Sequence, residues 1–464
     1  MNEKNVNPGA ARENKMGVQP IGRLLAGMAI PMMISMLVQA LYNVVDSYFV
    51  AKISQDAFNA VSLAFPLQTL MIAVGGGTSI GINALLSRSL GEKRQEVADR
   101  AANTGIFLMV CSALVFALIG LVLSRPFFAV QTGNAAIVEY GTAYTSICLG
   151  LSVGIFSQFC FERLLQSTGR TTLSMCTQMM GAVINIILDP ILIFGLCGMP
   201  RLEVAGAALA TVIGQLTAAV TGLVLNLKCN PDIHIRFRFV RWHKETAAEI
   251  SRVGIPSIIM QSIGSVMTFS LNQILISFTE AATAVFGAYF KLQSFIFMPI
   301  FGLNSGMVPI IAYNFGAARM DRVRRTIKLT ICTSVTIMTV GLLLFQLFPA
   351  RLLGIFDPSE EMLAIGVTAL RIISIHFPVA GFCIIAGSVF QAIGNPVYSL
   401  INSVCRQLVV LLPVAWLLAQ TGRLELVWLA FLVAEVASLI LSLIFLRRTF
   451  RHAEEHIRLR GAEN

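Results

Sequence analysis

Charged residues are scarce in this sequence. Asp, Glu, Lys and Arg make up 12% of its 464 residues, whereas 56% are hydrophobic. A soluble domain carries about 25% charged residues, most of them on its wetted surface. The shortage of charge excludes an ordinary soluble protein and indicates a chain that is solvated mainly by lipid.

The motifs of common enzymes and of ATP-driven pumps are also missing. The chain has no H-E-x-x-H pair and no Walker A loop. The glycine run Gly75–Gly77 is not followed by the Gly-Lys-Ser/Thr that a phosphate loop needs. We therefore predict that the protein is not an enzyme and uses no cofactor.

The nine cysteines form no C-x-x-C pair, and most lie in apolar stretches. We interpret them as small buried hydrophobic residues rather than disulfides or metal ligands. Residues 1–20 are polar, and the first apolar run exceeds the roughly 7–15 residues of a signal-peptide core. No cleavable signal peptide is predicted.

Long uncharged runs dominate the chain. The first, Leu24–Val45, can cross a hydrocarbon core of about 30 Å at about 1.5 Å per residue. Similar runs follow at 57–87, 101–123, 137–161, 171–195, 204–227, 253–279, 281–313, 329–348, 362–390, 396–419 and 424–446. The sequence predicts an all-α integral membrane protein with twelve transmembrane helices, called spans 1 to 12 below.

The sequence repeats itself at an offset of 225 residues. The matching pairs are Pro31 and Pro256, Gln68 and Gln293, Gly77 and Gly302, Gly81 and Gly306, Gly91 and Gly316, Arg94 and Arg319, Gly141 and Gly366, Gln166 and Gln391, and Gly169 and Gly394. Each half holds six spans, so both halves insert in the same orientation. We predict an N-lobe (1–228), a linker (229–250) and a C-lobe (251–464), related by a pseudo-two-fold axis along the membrane normal with the substrate between them.

The basic residues are distributed unevenly about the predicted membrane. Of the 34 Lys and Arg, 26 fall in the segments on the side of the N-terminus, five on the other side and three within spans. The positive-inside rule therefore predicts a plasma (inner) membrane protein with both termini cytoplasmic. The segment 234–241 is basic with interleaved aromatic residues, but such loops usually face anionic membrane lipid, so no nucleic-acid partner is predicted.

Asp46 is the first candidate for ion coupling, since an ionisable residue inside a span costs at least about 2.5–3.5 kcal/mol and marks a functional position. Gln39, Tyr42 and Asn43 share its helix face and form a polar stripe on span 1. Asp46 alternatively marks the outer end of the span. The apolar run continues through Ser47–Ala51, which favours a position inside the membrane.

Asp189 is the second candidate and lies in span 5, with Asn185 four residues earlier on the same face. The following Pro190 leaves open an Asp-Pro turn that ends the span. Counted from the nearest basic residues, Asp46, Asp189 and Thr211 of span 6 lie at a similar depth in the outer half of the membrane.

Two carboxylates, an amide and a hydroxyl would form an oxygen-rich pocket. Such a pocket can bind Na⁺, or it can hold one shared proton, because two close carboxylates in a low dielectric cannot both stay charged. We predict that Asp46, Asn185, Asp189 and Thr211 bind the coupling ion, either H⁺ or Na⁺. Pro31 is predicted to kink span 1, as a static bend or as a hinge.

The second half lacks this pair, because Leu271 and Val414 stand at the equivalents of Asp46 and Asp189. Glu435 in span 12 is left open as a second proton carrier or a structural acid. Candidates for the substrate cavity are the polar residues Gln39, Tyr42, Asn43, Asn272, Lys291 and His376. Among 30 Phe, some can form aromatic walls that suit flat lipophilic cations.

Several segments resemble the MATE (multidrug and toxic compound extrusion) transporters. They are Tyr42-Asn-Val-Val-Asp-Ser-Tyr-Phe-Val50, Asn185-Ile-Ile-Leu-Asp-Pro190, Val204-Ala-Gly-Ala-Ala-Leu-Ala-Thr211, Gln166-Ser-Thr-Gly-Arg170 and Gln391-Ala-Ile-Gly-Asn395. The resemblance implies a two-lobed exporter that opens outward or inward and is driven by H⁺ or Na⁺. We predict that it exports lipophilic cations by alternating access and acts as a monomer. The resemblance also implies a cation site at Asp46, Asn185, Asp189 and Thr211. Some members have carboxylates in spans 7 and 10, which this sequence lacks.

A flippase for lipid-linked sugar or peptidoglycan precursors is the alternative. A cavity for pyrophosphate lipids should carry several Arg residues. Only Lys291, Arg371 and Arg406 lie within spans, and all are in the second half. The sequence therefore favours a secondary active multidrug exporter.

Overall fold

The computed structural model describes residues 14–236 and 240–462, and all regular secondary structure in this part is helical. Ten spans are single long helices. They are Ile21–Ala51, Gln55–Gly91, Gln95–Gln131, Thr171–Phe194, Glu203–Cys229, Lys244–Ile276, Glu280–Gly316, Met320–Leu347, Pro396–Ala419 and Leu424–Glu455, which are spans 1, 2, 3, 5, 6, 7, 8, 9, 11 and 12. With two bent spans they confirm the predicted all-α membrane protein of twelve spans.

Spans 4 and 10 are each broken near the middle. Span 4 comprises Ala135–Gly150 and Val153–Ser167, bent by 42°, and span 10 comprises Glu360–Ser374 and Phe377–Ile393, bent by 50°. The sequence analysis predicted one continuous run in each case. In the first break Ser152 donates from Oγ to the Ala113 carbonyl oxygen of span 3 (3.0 Å), which satisfies a polar group at the bend.

The internal repeat of the sequence is also a repeat of structure. Spans 2 and 8 begin and end 225 residues apart, as do spans 5 and 11. The left-handed backbone positions repeat as well, with Lys93 and Ala318 both at φ 58° and Gly169 and Gly394 at 83° and 95°. The two lobes are therefore built on one six-span plan.

Glycines bring the lobes together along spans 1 and 8. A Cβ atom at Gly306 would lie 2.7 Å from the Cα of Ala29, and one at Gly302 would lie 2.5 Å from the Cα of Met33. Only glycine lets the two backbones approach so closely.

The other half of the lobe interface follows the same plan. Gly77 and Gly81 of span 2, the repeat equivalents of the span 8 glycines, pack against the backbone of span 7 at Ile258 and Ile250. At the ends of spans 2 and 8, Gly91 lies against the Tyr313 carbonyl. We call this end of the bundle the closed end and the opposite end the far end.

Among the described residues, the hydrophobic cores of the lobes join only near the closed end. Leu24 and Met28 of span 1 belong to the core of the C-lobe, and Ile250 of span 7 belongs to the core of the N-lobe. Toward the far end, Val50 lies in the N-lobe core and Leu275 in the C-lobe core. The packing that holds the lobes together is therefore concentrated at the closed end.

A short segment before span 1, Asn14–Gln19, bridges the lobes at the closed end and is called the strap. Asn14 donates from Nδ2 to the Thr168 carbonyl oxygen of the N-lobe (3.1 Å). Arg322 of the C-lobe donates from Nη2 to the carbonyl oxygens of Met16 (3.0 Å) and Gln19 (2.7 Å). Both lobes therefore hold the strap while the closed end is packed.

Replacing Arg322 by Gln should loosen the strap. Hydrogen bonds to charged groups contribute about 1.5–3 kcal/mol each, so their loss should raise amide hydrogen exchange in residues 16–19 by about tenfold or more. Hydrogen-exchange mass spectrometry measures this. Arg325→Gln, at an exposed position of the same helix, is the control, and equal exchange in both variants would refute a holding role for Arg322.

The predicted linker is partly structured. Residues 244–250 belong to the helix of span 7, and Asp232 forms an ion pair with Arg170 (3.1 Å). In the basic stretch, the backbone N–H of His234 donates to Asp99 (2.8 Å) of span 3. Residues 237–239 of that stretch lie outside the described residues.

Candidate functional site

Spans 1, 5 and 6 of the N-lobe bring the predicted coupling residues together. Asn185 Nδ2 lies 3.5 Å from Asp189 Oδ1 and 3.3 Å from Thr211 Oγ1. Asp46 interacts electrostatically with Asp189. Both acids lie inside helices rather than at their ends, since span 1 continues to Ala51 and span 5 continues past Asp189 to Phe194.

Three oxygens in this cluster are buried and lack a hydrogen-bond partner. They are Asp46 Oδ1, Asn185 Oδ1 and Asp189 Oδ2. In the described part of the chain no ion pair involves either carboxylate. Buried polar groups normally have partners, so these acceptors define a place for a proton or a hard cation.

The oxygen set favours a monovalent cation or a proton over a transition metal. Among the residues that the structure describes, no three His, Cys, Asp or Glu side chains cluster as metal ligands do. Carboxylate, amide and hydroxyl oxygens are ligands for hard cations. The residues at Asp46, Asn185, Asp189 and Thr211 therefore fit Na⁺ as well as H⁺.

Side chains of span 4 complete the wall around Asp46. Tyr144 and Cys148 both interact electrostatically with Asp46, and Gln68 of span 2 donates from Nε2 to the Tyr144 hydroxyl (3.0 Å). Tyr42, one turn before Asp46, interacts with both carboxylates. The sequence analysis did not single out Tyr144 or Cys148, because helix periodicity does not tell which face of span 4 meets span 1.

The other predicted cavity residues differ in exposure and come from both lobes. Gln39 and Asn272 are half-buried, and Asn43 is exposed. Lys291 is exposed, with its Nζ 5.8 Å from the ring centroid of Phe356 in the C-lobe. Lys291 therefore does not join the Asp46 cluster. His376 is buried at the break of span 10, also in the C-lobe.

Pro31 lies where span 1 meets the other lobe. Span 1 is a continuous helix through Pro31, and the adjoining Ala29 and Met33 pack against the glycines of span 8. Asp46 lies further along the same helix. The part of span 1 held by the C-lobe and the part carrying Asp46 therefore lie on either side of this proline, which suits either a static bend or a hinge.

A further buried acid was missed by the sequence analysis. Glu162 in span 4 is 3% exposed and accepts a hydrogen bond from Gln158 Nε2 (2.8 Å). The predicted span 4 ends at residue 161, because Glu162 and Arg163 are charged residues typical of the start of a cytoplasmic loop. The helix continues to Ser167, and Arg163 donates to Gln166 Oε1 (2.8 Å).

The comparisons with known proteins agree with the two-lobed fold. The MatE family model matches residues 31–191 and 256–417, so the chain belongs to the MatE family of transporters. The two matched ranges begin 225 residues apart, which is the offset of the internal repeat. The resemblance to MATE transporters that the sequence showed is therefore confirmed. Membership of this family places the chain among transporters rather than enzymes.

Two relatives and one solved structure illustrate the similarity. The multidrug export protein MepA of Staphylococcus aureus is 26% identical over 418 residues, covering 90% of this chain and 91% of the relative. An FAD transporter of Shewanella oneidensis is 25% identical over 404 residues, covering 85% and 88%. A MOP superfamily transporter from Pyrococcus furiosus has the same fold, with a TM-score of 0.89, 23% identity, and 96% and 99% of the two chains covered. The chain is thus a multi-pass membrane protein.

Proposed function

We propose that this protein is a secondary active multidrug exporter that exchanges lipophilic organic cations for H⁺ or Na⁺. The observation that carries the proposal is the buried pair Asp46 and Asp189, which has no basic partner among the described residues. Uncompensated charge is costly at this depth, so a cation that leaves the pair must be replaced by another positive charge. This exchange couples the movement of the organic cation to the movement of the coupling ion.

The lobe packing supports alternating access as the transport mechanism. Glycine contacts seal the closed end, which carries both ends of the described chain: Arg322 binds the strap and Arg324 pairs with Glu454. Since the termini are predicted to be cytoplasmic in a plasma membrane protein, the described form is outward-facing. In the proposed cycle, ion binding at Asp46 changes the packing of span 1 about Pro31 and displaces the cargo.

The chemistry around Asp46 supports an organic cation as cargo. Tyr42 and Tyr144 place two aromatic rings beside the acid, and aromatic faces attract cations. The S. aureus relative is named a multidrug export protein, which supports the same cargo class. The S. oneidensis relative is named for FAD, an anionic molecule, and the acidic N-lobe site does not suit such a cargo. The exporter is proposed to act as a monomer.

The flippase alternative finds less support in the C-lobe. Arg406 is already paired with Glu435 (3.3 Å), Arg371 is exposed, and Lys291 lies over the Phe356 ring. These three cations do not converge on one cavity as pyrophosphate recognition requires. Export of cations is therefore the function that the residues support best.

Efflux of ethidium from drug-hypersensitive bacteria tests the proposal. Cells expressing the wild-type chain should expel ethidium when one gradient, of protons or of sodium, is imposed and not when the other is imposed. The gradient that works identifies the coupling ion. A well-expressed protein that moves ethidium under neither gradient would refute the cation-exporter proposal, and flipping of lipid precursors would then be measured.

A further inference from the structure

The C-lobe contains a buried ion pair that the proposed transport mechanism does not use. Arg406 Nη1 of span 11 lies 3.3 Å from Glu435 Oε2 of span 12. The side chain of Glu435 is only 4% exposed, whereas that of Arg406 is 29% exposed. The protein therefore encloses the acid and leaves the arginine side of the pair partly exposed.

Arg406 satisfies only one oxygen of the carboxylate. Glu435 Oε1 and the hydroxyl of Tyr289 are buried without a nitrogen or oxygen hydrogen-bond partner, and the Cys383 thiol, which is only a weak donor, lies beside Glu435 and Ser438. A buried carboxylate oxygen without a donor is costly, because it has lost its water without gaining a replacement. A proton can bind to Glu435 Oε1, and this binding needs no cavity.

The groups that face Glu435 come from three other spans. They are Tyr289 of span 8, His376 and Cys383 of span 10, and Arg406 of span 11. The Nδ1 of His376 lies 2.5 Å from the Ile373 carbonyl oxygen. A carbonyl only accepts, so Nδ1 carries a hydrogen and its bond holds the ring in place.

With His376 neutral, Arg406 is the one full positive charge that faces the acid among the described residues. The cluster is then neutral when Glu435 is ionised and carries one positive charge when it is protonated.

The ion pair belongs to the C-lobe and has no counterpart in the N-lobe. Gly181 and Ala210 stand at the equivalents of Arg406 and Glu435. A Cβ atom at Gly181 would lie 2.9 Å from the Gly214 carbonyl oxygen, so spans 5 and 6 touch there and leave no room for charged side chains.

Span 11 differs from span 5 in its backbone as well. It contains a π-helical stretch, Cys405–Leu411, in which Arg406 lies. The repeat-equivalent part of span 5 is regular α-helix. π-helical turns that interrupt α-helices are frequent at functional sites. The charged pair and the altered backbone coincide, which indicates a built site.

We propose that Glu435 is a second proton-binding site and that its protonation releases Arg406. A proton from water binds the carboxylate and neutralises it. The guanidinium then loses its ionic partner and is free to turn toward its exposed side. When the proton returns to water, the ion pair forms again. The inference depends on neither the cargo nor the coupling ion proposed above.

Infrared spectroscopy of the purified full-length protein in detergent tests this site. The background variant Asp46→Asn/Asp189→Asn removes the N-lobe carboxylates. On acidification it should gain the carbonyl absorption of buried protonated carboxylic acids, and additional Glu435→Gln should remove the part of that change that comes from Glu435. Glu162→Gln, which removes the other buried acid, should leave the Glu435 absorption in place and serves as the matched control.

Arg406→Gln provides a second readout, because it leaves the acid without its cation. The proton affinity read from the same absorption should then rise by about tenfold or more. If Glu435→Gln fails to fold, the double variant Glu435→Gln/Arg406→Gln removes both charges together and should also lack the Glu435 absorption. An acid-induced absorption that Glu435→Gln leaves undiminished, or an affinity unmoved by Arg406→Gln, would overturn the inference. The readout uses no cargo, so its failure is separate from failure of the exporter proposal.

Discussion

Replacing Asp189 by Asn is expected to reduce ion-driven ethidium efflux to the level of cells that lack the protein. The amide keeps the size of the side chain and its contact with Asn185, but it can neither carry charge nor take up a coupling proton. Asp46→Asn should have the same effect, because the two carboxylates are proposed to act as one site. Efflux would be measured at matched expression under the gradient that drives the wild type.

Asp321→Asn is the matched control for this loss, since Asp321 is an exposed acid at the start of span 9. It should keep efflux within about twofold of the wild type, because changes at exposed positions away from special contacts shift free energies by about 0.5 kcal/mol or less. Wild-type efflux by either Asp46→Asn or Asp189→Asn would mean that the pair does not couple transport.

Gly306→Ala adds only one methyl group, but it should strongly disturb the helix packing at the closed end of the bundle. The new methyl group would lie 2.7 Å from the Cα of Ala29, which belongs to another helix backbone and has little room to move. Overpacking of this kind costs about 1–3 kcal/mol, which corresponds to an equilibrium shift of about 5- to 150-fold away from the closed packing. Efflux should fall while expression is maintained.

Hydrogen exchange across residues 20–35 and 300–316 measures the shift directly, because these segments form the packed end of spans 1 and 8. Exchange should accelerate in Gly306→Ala. Gly287→Ala on the same span is the control, because a Cβ atom there would meet nothing within 4 Å. Identical exchange in both variants would show that the close glycine contact does not determine which end is closed.

The sequence predicted the fold well where the signal was hydrophobic length or repetition. Uncharged runs identified the twelve spans, and the 225-residue offset predicted helices that begin and end in register. The breaks inside spans 4 and 10 were not predicted. An apolar run shows that a segment is buried in lipid, but it does not show whether the helix bends within that segment. At the first break Ser152 bonds the Ala113 carbonyl of span 3, a contact between spans that the sequence does not reveal. At the second break His376 bonds the carbonyl of Ile373, three residues earlier.

The candidate site was predicted in part. Polar residues spaced three or four apart on one span share a face, so Asp46 with Tyr42 and Asp189 with Asn185 were found from local spacing. Their meeting across spans followed from estimates of depth. Tyr144 was missed, because the rotation of span 4 about its axis depends on packing against several helices at once.

The C-lobe residues show the same limit. Lys291 was predicted to line the cavity, and its side chain lies over the Phe356 ring within the C-lobe. A role for Lys291 in the cavity stays a prediction. Glu435 was identified as an ionisable residue in span 12, but its pairing with Arg406 depends on which faces of spans 11 and 12 meet. Local periodicity does not determine that register.

The most direct measurement is of ions released when an organic cation binds to the purified protein in weakly buffered detergent solution. The account predicts that binding of ethidium releases protons, or bound sodium in a sodium-loaded sample, from the wild type and not from the Asp46→Asn/Asp189→Asn variant. Release of neither ion from a wild-type protein that binds ethidium would contradict exchange at this carboxylate pair.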